Sequence, residues 1–216
     1  MSGPLDDFAA QNHYVPMSKT VNILDLKPTQ FAVGMLEVET KVDEIRELSK
    51  KQLRRFVRDN PITVVIAPNK EYYIVDGHHH TSACWQAGLK KLKVRVIEDF
   101  SRKRVSYKKF WHKMHKEDWC HPYDKFGDGP RLPMYLPHDI RGLSDDPYRS
   151  LAWLVRKKGG YTHTHEPFSE FKWANFFRHH KVFEPDFDLD YSKAVQVALK
   201  LARTPGARKL PGYTKA

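Results

Sequence analysis

The sequence predicts an α+β fold, with strands and helices interleaved in the first half and an almost wholly helical second half. Three observations carry this. The β-branched and aromatic runs at residues 62–67 and 72–75 flank Pro68-Asn69-Lys70-Glu71, the pattern of two strands joined by a hairpin turn. Val42, Ile45, Leu48, Leu53, Phe56 and Val57 recur near the helical period, with charge on the opposite face. Beyond Ser101 the chain keeps helical periodicity but holds too little strand for a second sheet.

In order, residues 1–20 are mixed and polar and read as a poorly ordered lead-in. Residues 21–26 alternate loosely as a short strand, and Pro28 biases Lys27 away from helix. Residues 29–34 are turn-like. Residues 35–40 open a helix or form another short strand. Residues 42–58 read as one helix, ended by Asn60-Pro61. After the hairpin comes Asp76-Gly77, a turn dipeptide in which glycine tolerates positive φ. Residues 78–87 then read as a short helix stopped by Gly88, and residues 94–97 as a strand. Residues 101–118 are basic and aromatic. Tyr107, Phe110, Trp111 and Met114 share one helical face there, which reads as the face that packs on the sheet. Residues 122–137 are rich in Pro and Gly and form a loop. Asp146-Pro147 opens a helix that Gly159-Gly160 stops. Residues 168–180 and 191–201 are two more helices. The expected organisation is a lead-in at 1–20, a core at 21–100, a helical extension packed on it at 101–203, and a flexible tail at 204–216.

The formal charge is +11 and the pI about 9.5, which favours a polyanionic partner such as nucleotide or nucleic acid. Cys84 and Cys120 form no CxxC pair, which speaks against a thiolate zinc site or a disulfide framework and for a reducing, cytoplasmic setting. No secretory signal pattern opens the chain, and no apolar run approaches the roughly 20 residues of a membrane helix. A membrane partner is not expected.

The candidate site is residues 76–80, Asp-Gly-His-His-His, between a strand and a helix start. Backbone N–H groups and the positive end of the helix dipole converge there, so the turn suits an anion. A metal ranks below phosphate, because adjacent helical residues do not share a face. Helix capping by the histidines is the bland alternative. Further candidates are Glu37 and Glu39, which face one way if they lie in a strand and would supply a base. Arg149, after Asp145-Asp146-Pro147-Tyr148, would clamp a phosphate or carboxylate, while Asp145 and Asp146 suit helix caps. His163, His165, Glu166, His179 and His180 lack metal-site spacing, and Cys84 reads as core.

Strand, Asp-Gly-His-His, then a short helix resembles the phosphate-binding loop of the ParB/sulfiredoxin superfamily. The chain is similar, more narrowly, to the putative ParB-like nuclease family. The matching stretches are Leu26-Lys27-Pro28-Thr29-Gln30 with Val33-Gly34 and Lys41, then Val75 to His80, then Asp145 to Ala152. Gly159-Gly160-Tyr161, Pro167 to Phe171, Trp173-Ala174 and Phe177-Arg178 complete it. The resemblance implies a small mixed sheet flanked by helices, with the turn holding phosphate. It implies a nuclease or another phosphoryl-transfer enzyme, or a non-catalytic nucleotide- or nucleic-acid-binding module, or a nucleotide-dependent small-molecule kinase. In the non-catalytic reading the basic residues of 101–116 supply affinity. In the free-serine kinase branch a glutamate from an early segment is the base, and Glu37 or Glu39 is the nearest equivalent. The expected catalytic residues are Asp76, His78, His79, His80 and Glu37. Gly77, His79, Thr81 and Arg149 would hold the phosphate; no cofactor is fixed by the sequence, and a divalent metal such as magnesium is one candidate. Sulfiredoxin carries a cysteine in its turn, whereas His78 follows Gly77 here, so sulfiredoxin chemistry is not expected.

Overall fold

A computed structural model describes residues 17–183 and 190–215. The expected lead-in lies outside these residues except for its last four, which already belong to a strand. The contacts divide the chain into two compact units, residues 1–32 with 38–144, and residues 33–37 with 145–216.

The first unit holds a five-stranded mixed sheet in the order β1-β6-β4-β5-β2. Its strands are β1 (Met17–Asn22), β2 (Leu26–Lys27), β4 (Ile62–Ile66), β5 (Tyr72–Asp76) and β6 (Lys91–Asp99). β1 runs antiparallel to β6, with Met17 opposite Val96. β6 is parallel to β4, β4 antiparallel to β5, and β5 parallel to β2. Every residue of β4 is buried, as befits a central strand covered on both faces. β6 alternates buried and half-buried positions, so one face packs and the other is partly wet. The expected first strand is in fact β1, a single 3-10 turn over Ile23–Asp25, and β2.

The long helix expected at 42–58 is two helices, α1 (Met35–Arg46) and α2 (Lys50–Asp59). Ser49 breaks it: its side chain accepts from Gln52 N while Gln52 bonds back to Ser49 N, a capping box that starts a new helix. α3 (His78–Gln86) follows β5 directly, and α4 (Tyr107–Lys116) starts at Ser106, whose hydroxyl accepts from Lys109 N. Phe110 and Met114 of α4 pack with Val65, Phe100 and Trp119 in one cluster.

The second unit holds α5 (Pro147–Lys157), α6 (Ser169–His179) and α7 (Tyr191–Leu201) around Leu151, Val155, Trp173, Phe177 and Ala198. Trp173 stacks on Tyr161 at 4.2 Å. The two-residue strands β3 (Ala32–Val33) and β7 (Ser144–Asp145) pair with each other. The molecule is thus α+β, a mixed sheet flanked by helices with a helical C-terminal part. The boundary drawn at 100/101 moves to 144/145, because α4 fills the apolar cluster of the first unit. The stretch expected as a flexible tail is docked: Trp173 Nε1 donates to Pro211 O at 2.7 Å, and Thr162 N donates to Gly212 O at 2.8 Å.

Candidate functional site

β5 delivers the chain to the turn, and Gly77 makes the turn. It is the N-cap of α3 at φ +101, and no side chain caps that helix end. Such a φ suits glycine, and a Cβ here would also meet Ile62 Cδ1 at 3.0 Å. Asp76 is exposed at the end of β5, opposite Thr63. The first backbone bond of α3 runs from Thr81 N to Gly77 O at 2.8 Å. The amides of residues 78–80 precede that bond, where a helix has no intrahelical acceptors to offer.

The three histidines meet three environments. His78 is buried, and its Nε2 accepts from Thr29 N at 3.0 Å. Thr29 in turn donates its hydroxyl to Ile74 O at 2.6 Å. Burial first, and then the neighbouring His121, push the His78 pKa down to about 3, so the ring is neutral with its proton on Nδ1. His79 is half-exposed. His80 lies with its ring 5.0 Å from Phe56 and its Nε2 3.6 Å from Cys84 Sγ. Burial and then the charge of Lys41 lower its pKa to about 4. Thr81 is fully buried and donates its hydroxyl to Gly77 O at 2.8 Å. That hydroxyl proton is therefore spent within the helix rather than offered to a phosphate. Cys84 is buried, and burial pushes its thiol up to about 12.

Glu37 and Arg149 belong to the second unit and form their own cluster. Arg149 Nη2 contacts Glu37 Oε2 at 3.2 Å and also pairs with Glu170. Arg156 Nε donates to Glu170 Oε1 at 2.6 Å, and the Arg149 guanidinium lies 5.6 Å from the Phe171 ring centre. Both Glu37 and Arg149 are buried. Arg149 therefore presents no solvent-facing clamp, and Glu37 no solvent-facing base. Arg149 Nε and Nη1 have no hydrogen-bond partner among the described residues. Glu37 and Glu39 do not share a face: they lie in α1, where residues two apart point about 200° apart, so Glu37 is buried and Glu39 exposed. Both aspartates cap helices. Asp145 Oδ1 accepts from Met35 N, and Asp146 Oδ1 from Tyr148 N, each at 2.9 Å.

Among the described residues no group of three or more His, Cys, Asp or Glu side chains is arranged to hold a metal ion. No helix there is long and apolar enough to cross a membrane. A cleft of about 380 Å³ is lined by Phe31, Phe126, Arg131 and Tyr135 among others, and no residue of the turn borders it. Thr29 lies in a family-matching stretch and Phe56 on a helical face, but nothing local in the sequence ties them, or His121, to the seating of the histidines. Thr29 sits 49 positions from His78, and no local pattern links the two.

A mixed sheet whose inner strand passes through a glycine turn into an uncapped helix places the molecule among the ParB-like α+β proteins. Its sequence matches the family described as Putative ParB-like nuclease over residues 19–179, and the chain belongs to that family. The crystal structure of protein Atu1540 from Agrobacterium tumefaciens is similar, with 35% identity and a TM-score of 0.82 over 94% of this chain and 100% of that one. The C-terminally truncated chromosome-partitioning protein ParB from Caulobacter crescentus, complexed with CTP-gamma-S, matches at 17% identity. It covers 84% of this chain and 92% of that one at a TM-score of 0.32, which adds nothing to the fold argument. No curated protein matches the sequence.

Proposed function

We propose that the turn at residues 76–80 binds the phosphate of a nucleotide or nucleic acid, and that the protein transfers or hydrolyses phosphoryl groups there. The observation that carries this is the start of α3: a glycine N-cap at positive φ, with no side-chain hydrogen bond capping it. A helix terminus left open in this way favours an anion through its amides and its dipole. The family name points to phosphodiester chemistry.

Within this reading the residues take distinct roles. Gly77 lets the phosphate approach the backbone. His79, half-exposed at the second helical position, donates to a phosphate oxygen and serves as proton donor or acceptor. His78 and Thr29 fix the turn from below. His80 stays neutral, and Lys41, whose charge it feels, contributes positive charge near the phosphate. Asp76 is the exposed carboxylate of the turn. A divalent cation such as magnesium would be held by Asp76 and the phosphate itself, and would neutralise developing charge. Glu37 and Arg149 neutralise each other within the second unit and carry no step.

Thermal unfolding with nucleoside triphosphates, with and without magnesium, tests the binding. A ligand at 100 times its Kd stabilises by about 2.7 kcal/mol, or about 5–10 °C for a chain of this size. His79→Ala should abolish that shift. A shift of the same size in the variant removes His79 from the site, and no shift with any nucleotide or oligonucleotide overturns the reading. Cleavage of a labelled oligonucleotide against phosphate transfer from the nucleotide then separates hydrolase from kinase.

A further inference from the structure

We infer that the exposed face of α4 is a docking surface for a nucleic-acid strand, gripped through its phosphates. This names a polymer as the ligand whose phosphate the turn takes, and in that respect rests on the reading above. The charge on α4 stands without it.

Lys108, Lys109, His112 and Lys116 are all exposed. At about 100° per residue they fall, with Lys113, within an arc of about 140°. The opposite face carries Phe110 and Met114, both fully buried. Nearby carboxylates are already engaged. Glu98 pairs with Lys103 and Lys113, and Asp99 with Arg102. Lys108, Lys109 and Lys116 make no ion pair among the described residues, and of the acidic side chains only Glu117 and Asp118 follow directly, past the end of the helix.

Two features of this arrangement work against the isolated helix. Lys109 and Lys113 are spaced four apart, where like charges repel. Lys108 and Lys109 sit in the first turn, which holds no acidic residue and where the helix dipole disfavours cations. A polyanion lying along the face relieves both. From Lys108 to Lys116 the face spans about 12 Å, room for three or four phosphates of one strand at about 3.4 Å each along the axis. A lipid surface fits less well, because an interfacial helix inserts its apolar face, and here that face is occupied. Trp111 and Phe110 pack on Tyr73 at ring distances of 5.2 and 5.6 Å, and Val75 joins the same cluster. Both Tyr73 and Val75 belong to β5, the strand that ends in the turn at Asp76, so one strand carries the basic face and the phosphate turn alike.

The test is fluorescence anisotropy of labelled oligonucleotides against salt, for wild type and for Lys108→Gln/Lys109→Gln/Lys116→Gln. For duplex, three lost phosphate contacts reduce the slope of log K against log salt by about 2.7. Between 50 and 200 mM salt the wild type should then weaken about 40-fold more than the variant. All three side chains are exposed, so the variant should keep the melting temperature of the wild type. It should also keep any thermal shift caused by a nucleoside triphosphate, which reports the turn alone. Equal slopes overturn the inference, as does binding to anionic vesicles but not to oligonucleotides. Loss of the nucleotide shift in His79→Ala leaves the salt slope as the separate readout of α4.

Discussion

The buried histidines of the turn make stability depend on pH in a stated direction. His78 and His80 have pKa values of about 3 and about 4 in the folded protein, against about 6.5 unfolded. The unfolded chain therefore takes up the proton first as pH falls. Stability from the neutral rings is full above about pH 6.5 and is lost progressively below it, down to the folded pKa values. At about 1.4 kcal/mol per unit, falling from pH 6.5 to 5 costs about 2 kcal/mol for each ring, or about 4 for both. With a urea slope of about 2 kcal/mol/M, the unfolding midpoint should drop by about 2 M between pH 7 and pH 5. Other groups with shifted pKa values, such as Asp139 and Asp190 at about 2, have depressed carboxylates that titrate below this window. The assay is urea unfolding at both pH values for wild type, His78→Gln and His80→Gln. In His78→Gln the introduced amide oxygen can still accept from Thr29 N, so the comparison isolates the titration from the loss of the bond. Each variant should lose about 2 kcal/mol less than wild type on acidification. A wild-type midpoint that does not move, or variants that fall as far as wild type, would refute the assignment of neutral buried rings.

Three more outcomes follow from the same geometry. Gly77→Ala places a Cβ at φ +101 and should cost about 1–2 kcal/mol; a chemical denaturation series measures it, and a neutral result would mean the turn relaxes without strain. Arg149→Met removes the guanidinium that pairs with the buried Glu37 carboxylate and should cost about 3–5 kcal/mol, part of it recovered by adding Glu37→Gln. Cys84 and Cys120 are buried with thiols pushed up to about 12, so iodoacetamide at pH 8 should label neither until the protein unfolds; mass spectrometry of a native time course reads this directly, and fast labelling of Cys84 would reopen thiol chemistry at the turn.

Legibility in the sequence followed the range of the interactions. The hairpin, the glycine turn and the α5 start at Asp146-Pro147 rest on neighbours within a few residues, and each was readable. The break at Ser49 was also local, in the form Ser-x-x-Gln, but the apolar period ran through it and masked it. Glu37 and Glu39 share a face in a strand but not in α1, and nothing local decides between the two over residues 35–40. What seats the site came from afar. Phe56 reaches the histidines from α2 and Thr29 and His121 from segments outside the helices, and the Arg149 that pairs with Glu37 lies 112 positions away. No spacing rule reports such contacts.

The three adjacent histidines show why residue type alone assigns no role. Successive helical residues project about 100° apart. One such step carries the ring from the Thr29 amide below the turn to half-exposure at His79, and a second carries it against Phe56 and Cys84. The first and third rings are held neutral by burial, so neither changes charge near pH 7. In the proposed reading, the proton-transfer role at the turn falls to His79, the half-exposed histidine. An activity whose pH profile followed His79→Ala but not His80→Gln would separate the residue that meets the phosphate from those that shape the place where it sits. A profile moved equally by both would show that the burial seen at His80 opens when ligand binds.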